Sequence, residues 1–288
     1  MLLRIAPLLA VSLLSICSAS AATVRTGDVT LHYVEAGNLK SPTLVFIPGW
    51  ACAINVWSKQ IDHFSKSMHV IAIDPRSQGD SSKTDDGNSP MQRARDYEAL
   101  LAKLNVQNAV LVGWSQGVQD VASYIDQFGT KRLSGIVLVD ASVSRGARSV
   151  SANPQFAQGL LRNIDIYAQH KREYLEGMMH VIFTQKMDDA QFNALVDTGM
   201  KTPVNTGVAE LVADMLGTDL TPALGKIDKP ALIVASASSS ELAEQKGEAA
   251  RLPHGSYVQI EHAGHGVFVD QPDEFDRAIE HFMASLAR

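Results

Sequence analysis

The motif Gly-Trp-Ser-Gln-Gly at residues 113–117 constrains this sequence more than any other feature. It lies between an apolar, strand-like run at 109–112 and apolar residues at helical spacing over 118–125. A serine between two glycines at a strand-to-helix junction is typical of a sharp turn that lifts the hydroxyl above the edge of a sheet. The Gln116 amide begins the predicted helix, where it is unpaired and electropositive. Ser115 is therefore predicted to be a nucleophile, with that amide facing any oxyanion formed beside it.

Short apolar runs alternate with amphipathic helical stretches along most of the chain. Strands are predicted at 29–34, 44–47, 70–73, 109–112, 135–139, 231–234 and 257–260. Helices are predicted at 57–64, 92–104, 118–128, 242–251 and 275–287. Ser89 is the expected N-cap of the second helix and Pro90 its first residue. The alternation predicts an α/β fold, with a mostly parallel central sheet and helices on both faces.

The segment from about 143 to 220 breaks this alternation, because it contains no strand-like run. Amphipathic helical patches lie at 156–166, 174–183 and 192–200. Five of the nine methionines fall in the segment, namely Met178, Met179, Met187, Met200 and Met215. Packing between helices explains these methionines, and so does a flexible apolar lid over a pocket. The sequence therefore predicts a helical cap at about 143–220 and leaves both interpretations of its methionines open.

The N-terminus has the three parts of a secretory signal. An arginine stands near the start, residues 5–16 are apolar, and small residues follow at 17–22. These features predict a signal peptide at 1–21, with cleavage after Ala21 or Ala22. The protein is therefore expected to be secreted or periplasmic.

Cleavage leaves residues 22–288 as a single domain with no stable membrane anchor. The apolar stretch of the signal is also too short to serve as a transmembrane helix. Lipidation of Cys17 is the alternative, although Ile16 fits poorly before a lipidated cysteine. Cys52 is the one cysteine that remains after cleavage. No disulfide within the mature chain is expected, despite the oxidising destination.

Composition and residue spacing give no sign of a nucleic-acid partner or a metal site. The 288 residues are 45% hydrophobic and carry a formal net charge of −6. Such a composition suits a globular domain and gives no broad basic surface for nucleic acid. The nine histidines are scattered, with no H-E-x-x-H or C-x-x-C spacing, so no metal site is expected.

Four motifs together resemble those of the α/β-hydrolase family. They lie at 46–50, 74–82, 113–117 and 263–265, in family order and at family spacing. The chain looks in particular like the cofactor-independent, non-haem chloroperoxidase and esterase branch, over nearly the whole mature length. The resemblance implies an α/β-hydrolase fold with the helical cap inserted after the sixth strand, and catalysis by Ser115.

The resemblance also implies partners for Ser115. A serine hydroxyl needs a base to take its proton, and His265 stands where the family carries that base. The family oxyanion hole maps onto the backbone amides of Trp50 and Gln116. Pro48 replaces a family histidine two residues before Trp50, but the amide required is that of Trp50 itself. The 74–82 loop matches family loops that are structural.

Other histidines match no family position and are expected to be ordinary side chains: His262, His254, His170 and His180. The indole of Trp50 is explained equally well as a wall of the acyl pocket and as a packing group.

The third member of the triad is where the sequence departs from the family pattern. The family usually places an aspartate after the strand that precedes the histidine strand, but residues 235–241 contain none. Three possibilities stay open: Asp140, Glu241 or no acid at all. Asp140 is favoured because it ends the strand at 135–139, at the edge where ligands bind in open α/β sheets. The stretch around it also resembles haloalkane dehalogenases, which carry their acid there.

These features predict a serine hydrolase that cleaves small-molecule carboxylic esters through an acyl-enzyme on Ser115. The chemistry needs no cofactor. A lactonase, amidase or carbon–carbon hydrolase with the same serine is the alternative within enzymes. A ligand-binding member of the fold with vestigial turnover is the alternative outside them. The fold does not fix the natural substrate or its acyl length.

Overall fold

A computed structural model describes residues 17–287, which form eight strands and eleven α-helices. The strands are β1 (Cys17–Thr26), β2 (Val29–Gly37), β3 (Thr43–Ile47), β4 (His69–Ile73), β5 (Ala109–Trp114), β6 (Leu133–Val139), β7 (Ala231–Ser236) and β8 (Gly255–Ile260). They make one sheet in the order β1-β2-β4-β3-β5-β6-β7-β8. The pairs β1/β2 and β2/β4 are antiparallel, and all pairs from β4/β3 to β7/β8 are parallel.

Helices connect the parallel strands and cover the sheet. In chain order they are α1 (Ser58–Phe64), α2 (Pro90–Lys103), α3 (Gln116–Phe128), α4 (Ala147–Ser151), α5 (Pro154–Gln169), α6 (Lys171–Ile182), α7 (Asp189–Gly199), α8 (Val204–Leu216), α9 (Leu242–Arg251), α10 (Val267–Asp270) and α11 (Pro272–Leu286). The predicted fold class, a mostly parallel sheet with helices on both faces, is confirmed. Ser89 caps α2 through a bond from the Gln92 amide, and Pro90 begins the helix as expected.

The inner strands are buried on both faces, which explains their continuous apolar sequences. In β3 the side chains of Leu44 and Phe46 join one core cluster, whereas Val45 and Ile47 join the other. Successive side chains of a strand point to opposite faces, so each strand supplies both cores. Strand β8 lies at the edge of the sheet, where Ile260 is buried, Tyr257 and Val258 are half-buried and the other residues are exposed.

The strand β1 was not predicted, because its small residues were interpreted as the end of a signal sequence. Residues 1–16, most of the predicted signal peptide, lie outside the described part of the chain. From Cys17 onward the chain pairs with β2, and Gly27 makes the connecting turn with φ +65°. Glycine suits this turn, since other residues rarely adopt a positive φ.

Five helices, α4 to α8, lie between β6 and β7 and form the cap. Helices α5, α6 and α7 match the three predicted helical patches, whereas α4 and α8 were not predicted. The face that α8 buries includes polar side chains, among them Thr206, Glu210 and Asp214. Its apolar residues at 204, 208, 211 and 215 recur at helical spacing, so the sequence held a signal for α8 that the prediction did not use. Over residues 17–287, no helix combines the length and apolar character needed to cross a membrane.

A buried ion cluster fixes α8 of the cap to α2 and α3. The Nε of Arg93 donates to both carboxylate oxygens of Asp120, at 2.8 and 2.9 Å. Its Nη2 donates to Oδ1 of Asp214 at 3.0 Å, and Glu210 Oε1 lies 4.0 Å from Nη1. One guanidinium therefore faces three buried carboxylates, so the cluster carries more acid groups than it can neutralise.

Burial raises the pKa of these carboxylates against the attraction of Arg93. The pKa of Glu210 rises to about 8 and that of Asp120 to about 7, with loss of hydration as the largest cause. Among the described residues, no group hydrogen-bonds to either carboxylate oxygen of Glu210. An unpartnered buried carboxylate is costly to ionise, so the folded protein favours the neutral form of Glu210 near neutral pH.

The Glu210→Gln variant tests this assignment. Between about pH 4.5 and pH 8, Glu210 keeps its proton in the folded protein but has lost it in the unfolded chain. Stability should therefore fall as pH rises through this window, by up to about 1.4 kcal/mol per pH unit for one group. Glutamine mimics the neutral acid, so the excess stability of the variant over the parent should be small at pH 5 and much larger at pH 8.

Urea unfolding at both pH values measures the difference. Glu261→Gln is the control, because Glu261 is exposed and lies outside the cluster. A Glu210→Gln protein that is no more stable than the parent at pH 8 would contradict the assignment.

Candidate active site

Ser115 lies at the junction of β5 and α3, in the predicted sharp turn. Its backbone has φ 56° and ψ −119°, a conformation that costs energy for a residue with a side chain. The Ser115 amide donates to the Val139 carbonyl at 3.1 Å, which anchors the turn to β6. The turn therefore holds the serine above the carboxyl edge of the sheet.

Close backbone contacts explain the two glycines of the motif. A Cβ on Gly113 would lie 2.3 Å from the Gly117 carbonyl oxygen. One on Gly117 would lie 2.6 Å from the Ile47 carbonyl oxygen. Both distances are too short for a real carbon, so any side chain here would push α3 away from β5 or β3.

The imidazole of His265 is hydrogen-bonded to Asp140. Nδ1 of His265 lies 2.8 Å from Oδ2 of Asp140, whose side chain is 1% exposed. The other carboxylate oxygen, Oδ1, accepts the Ser236 amide at 2.6 Å. A carboxylate accepts hydrogen bonds only, so Nδ1 carries the hydrogen and Nε2 is left as the acceptor.

Glu241, the competing acid, has a different partner. Its Oε2 accepts hydrogen bonds from the amide and the hydroxyl of Ser142, at 2.7 and 2.9 Å. The turn that replaces the usual aspartate also binds the histidine loop, since the hydroxyls of Ser236 and Ser238 donate to the Ala263 carbonyl. Of the acids considered from the sequence, the structure pairs Asp140 with His265.

Two unpaired backbone amides at the cavity indicate a site for an oxyanion. Gln116 is the first residue of α3, so its amide has no partner within the helix. The Trp50 amide follows β3, and over residues 17–287 neither amide donates a hydrogen bond. Both residues line the same cavity as Ser115 and His265. Unpaired amides at this position suit a developing negative charge.

No hydrogen bond joins Ser115 to His265 within the described part of the chain. The structure thus brings the serine, the histidine and the acid to one cavity, with the acid–histidine bond formed. Catalytic hydrogen bonds are often long in the absence of substrate and tighten when it binds.

The shared cavity has a volume of about 500 Å³ and separates the sheet edge from the cap. Its cap wall is mostly apolar and includes Tyr174, Met178, Val181, Ile182, Leu211 and Met215, with Thr184 and Asp214 as its polar members. Met178 and Met215 thus line the cavity, whereas Met179 is buried in the core and Met187 and Met200 pack against it. Both interpretations of the cap methionines therefore apply, to different residues.

Trp50 combines the two roles considered for it. Its indole lines the cavity and packs edge-on against Tyr167, with ring centroids 4.8 Å apart. The indole Nε1 also donates to the Gly207 carbonyl on α8 at 2.9 Å. A residue of the proposed oxyanion hole is therefore bound directly to the cap.

The side chain of Gln116 is bound on both sides, which the sequence analysis missed. Its Oε1 accepts from Gln78 at 3.0 Å, and its Nε2 donates to Asp214 of the cap. Asp214 in turn pairs with Arg93. Acidic residues four apart, at 210 and 214, on an otherwise apolar helix were the available signal.

The remaining candidate histidines lie away from this cavity. His262, His254, His170 and His180 are exposed and do not line it. Cys52 lines the cavity but is buried, and burial raises the pKa of its thiol to about 12, which disfavours the reactive thiolate.

Asp74 fixes the 74–82 loop as a structural element. It accepts hydrogen bonds from the amides of Ile54 and Asp80, and it pairs with His32. Over the described residues, His32, Asp74 and Asp80 are the one group placed closely enough to share a cation. Lys201 already pairs with Asp80 at 2.6 Å.

Comparisons with known proteins agree with this architecture. The sequence profile of the Alpha/beta hydrolase family matches residues 44–278. The chain is 25% identical to 3-oxoadipate enol-lactonase 2 of Acinetobacter baylyi, over 91% of its own length and 96% of that protein. It is 26% identical to the non-heme chloroperoxidase CPO-A1 of Kitasatospora aureofaciens, over 91% and 98%.

A solved structure, the esterase RhEst1 of Rhodococcus sp. ECU1013, is similar with a TM-score of 0.78 and 25% identity. The match covers 93% of this chain and 99% of the esterase. The resemblance seen in the sequence motifs is thus confirmed. The chain belongs to the α/β-hydrolase family.

Proposed function

We propose that this protein hydrolyses carboxylic esters through an acyl-enzyme on Ser115. The observation that carries the proposal is the Asp140–His265 hydrogen bond at the cavity that Ser115 also lines. Family membership supports a hydrolase, and relatives named as an enol-lactonase and an esterase support ester chemistry. The bound histidine favours turnover over a purely ligand-binding role.

Acylation begins when Nε2 of His265 takes the proton of the Ser115 hydroxyl. The serine oxygen attacks the ester carbonyl carbon, and the amides of Trp50 and Gln116 receive the resulting oxyanion. Asp140 keeps the imidazole oriented and stabilises its positive charge. The intermediate collapses as the carbon–oxygen bond to the alcohol breaks, and the imidazolium gives its proton to the leaving alkoxide.

Deacylation repeats these steps with water. Nε2 of His265 takes a proton from water, and the hydroxide attacks the acyl carbon. The second intermediate releases the carboxylic acid, and the imidazolium returns the proton to Ser115. A lactone follows the same path with its alcohol still attached, and the named enol-lactonase relative makes lactones the second substrate class.

The Ser115→Ala variant tests the nucleophile. We expect ester turnover to fall by at least about 1,000-fold, because no acyl-enzyme can form, while residual binding and oxyanion donors remain. Hydrolysis of p-nitrophenyl esters of increasing acyl length measures the loss, and a thermal unfolding midpoint close to the parent's shows that the variant folds. A serine-directed phosphonate should add mass to the peptide that contains Ser115. Labelling at another residue, or turnover retained in the variant, would contradict the assignment of Ser115 as the nucleophile.

The Asp140→Asn variant tests the unusual position of the acid. An amide can donate to Nδ1 and select the wrong tautomer, so turnover should drop by up to about 10,000-fold, as in the corresponding change in trypsin-like enzymes. Phosphonate labelling of Ser115 should slow in parallel. Glu241→Gln is the comparison variant, and its loss should be far smaller. A larger loss in Glu241→Gln than in Asp140→Asn would transfer the role to Glu241.

We also propose that residues 1–21 are removed during export, which makes the mature protein secreted or periplasmic. Cleavage after Ala21 keeps the pairs from Ala22–Tyr33 to Thr26–Val29, so the β1/β2 hairpin survives in part. Intact mass after expression of the full chain in a Gram-negative host should give an N-terminus at Ala22 or Thr23, in the periplasmic fraction. An uncleaved chain in the cytoplasm, or a lipid mass on Cys17, contradicts the proposal.

A further inference from the structure

The cavity carries carboxylates but, over the described residues, no lysine or arginine lines it. Its lining includes the carboxylates of Asp140, Asp214 and Glu241 and the imidazole of His265. Burial raises the pKa of the Cys52 thiol and the Tyr174 phenol, so these two groups stay neutral. A substrate that carries its own charge must therefore be accommodated among acidic groups.

Two of the three carboxylates are already paired. Asp140 is bound to His265, and Asp214 is bound to Arg93 at 3.0 Å and to the Gln116 side chain. Glu241 forms no salt bridge with any described residue. It is therefore the cavity carboxylate whose charge has no direct counter-ion.

Glu241 is also held in one orientation. Both of its hydrogen bonds, from the amide and hydroxyl of Ser142, are accepted by Oε2. Oε1 accepts none from the described chain and is not buried. A carboxylate fixed through one oxygen and open at the other is a preformed acceptor for a charged or hydrogen-bonding group of a ligand.

Aromatic rings add to the preference for positive charge. Trp50 and Tyr174 both line the cavity, with ring centroids 6.1 Å apart. The faces of such rings attract cations through their quadrupole. A carboxylate and aromatic walls in one cavity are a chemistry that suits an ammonium group, whereas a ligand carboxylate there would be repelled and left without a counter-ion.

We propose that Glu241 is a specificity-determining residue, which makes the enzyme prefer esters with an ammonium group near the scissile bond and reject esters with a carboxylate there. The inference rests on the ester hydrolysis proposed above. It names the charge of the substrate, which that proposal leaves open.

Matched substrates test the preference. One series consists of p-nitrophenyl esters whose acyl chains are of equal length and end in tert-butyl, trimethylammonium or carboxylate. A second series places the same three end groups on the alcohol side of butyrate esters. In at least one series, kcat/KM should be about tenfold higher for the ammonium ester than for the isosteric tert-butyl ester, and lowest for the carboxylate.

The Glu241→Gln variant identifies the residue responsible. The ratio of kcat/KM between ammonium and tert-butyl esters should fall about tenfold, and the carboxylate ester should gain relative to the other two. Glu244→Gln is the matched control, because it removes the same charge three residues further on, in the first turn of α9, at a residue that does not line the cavity. Its ratios should equal those of the parent.

Two outcomes overturn the inference: equal kcat/KM for ammonium and tert-butyl esters in both series, or a preference that persists in Glu241→Gln. Failure of the proposed function is separate and is measured with the tert-butyl esters. If the parent hydrolyses none of the neutral esters, or hydrolyses them no faster than Ser115→Ala does, the proposal of ester hydrolysis at Ser115 is wrong.

Discussion

The hydrogen bonds of Asp140 hold the end of β6, strand β7 and the histidine loop together at the site. The Asp140 amide donates to the Val234 carbonyl on β7, and its side chain binds both the Ser236 amide and His265. One residue at the end of β6 thus ties the neighbouring strand to the histidine loop. Its backbone has φ 48°, a conformation that costs energy without such bonds. The position of the imidazole depends on this arrangement, because no other described side chain binds its Nδ1.

The motifs that flank the sheet could be predicted well from the sequence. The strand-to-helix turn at Ser115 requires small neighbours and an apolar strand, and both are visible as residue types. The carboxyl edge of a parallel sheet then places Asp140 near His265, since consecutive strands end at the same edge. The choice between Asp140 and Glu241 needed the structure, because both follow strands on that edge and only side-chain direction separates them.

The links between the cap and the sheet could not be predicted. Helix α8 buries Glu210 and Asp214, which apolar periodicity assigns to the surface. Their burial depends on Arg93, which lies 121 residues before Asp214 in the sequence. Strand β1 was missed for a different reason. Its small residues carry little apolar pattern, and the main-chain bonds to β2 define it instead.

The cap contacts both residues whose amides are proposed to receive the oxyanion. Helix α8 accepts the Trp50 indole at Gly207 and binds the Gln116 side chain through Asp214. A cap that swung fully away would break both contacts and release the two amide-bearing residues at once. Entry of substrate does not require such a movement, because Val181 and Met215 on the cavity wall are exposed. Exchanging this cap for that of another family member would consequently change the catalytic rate together with the range of substrates, because the two properties share one helix.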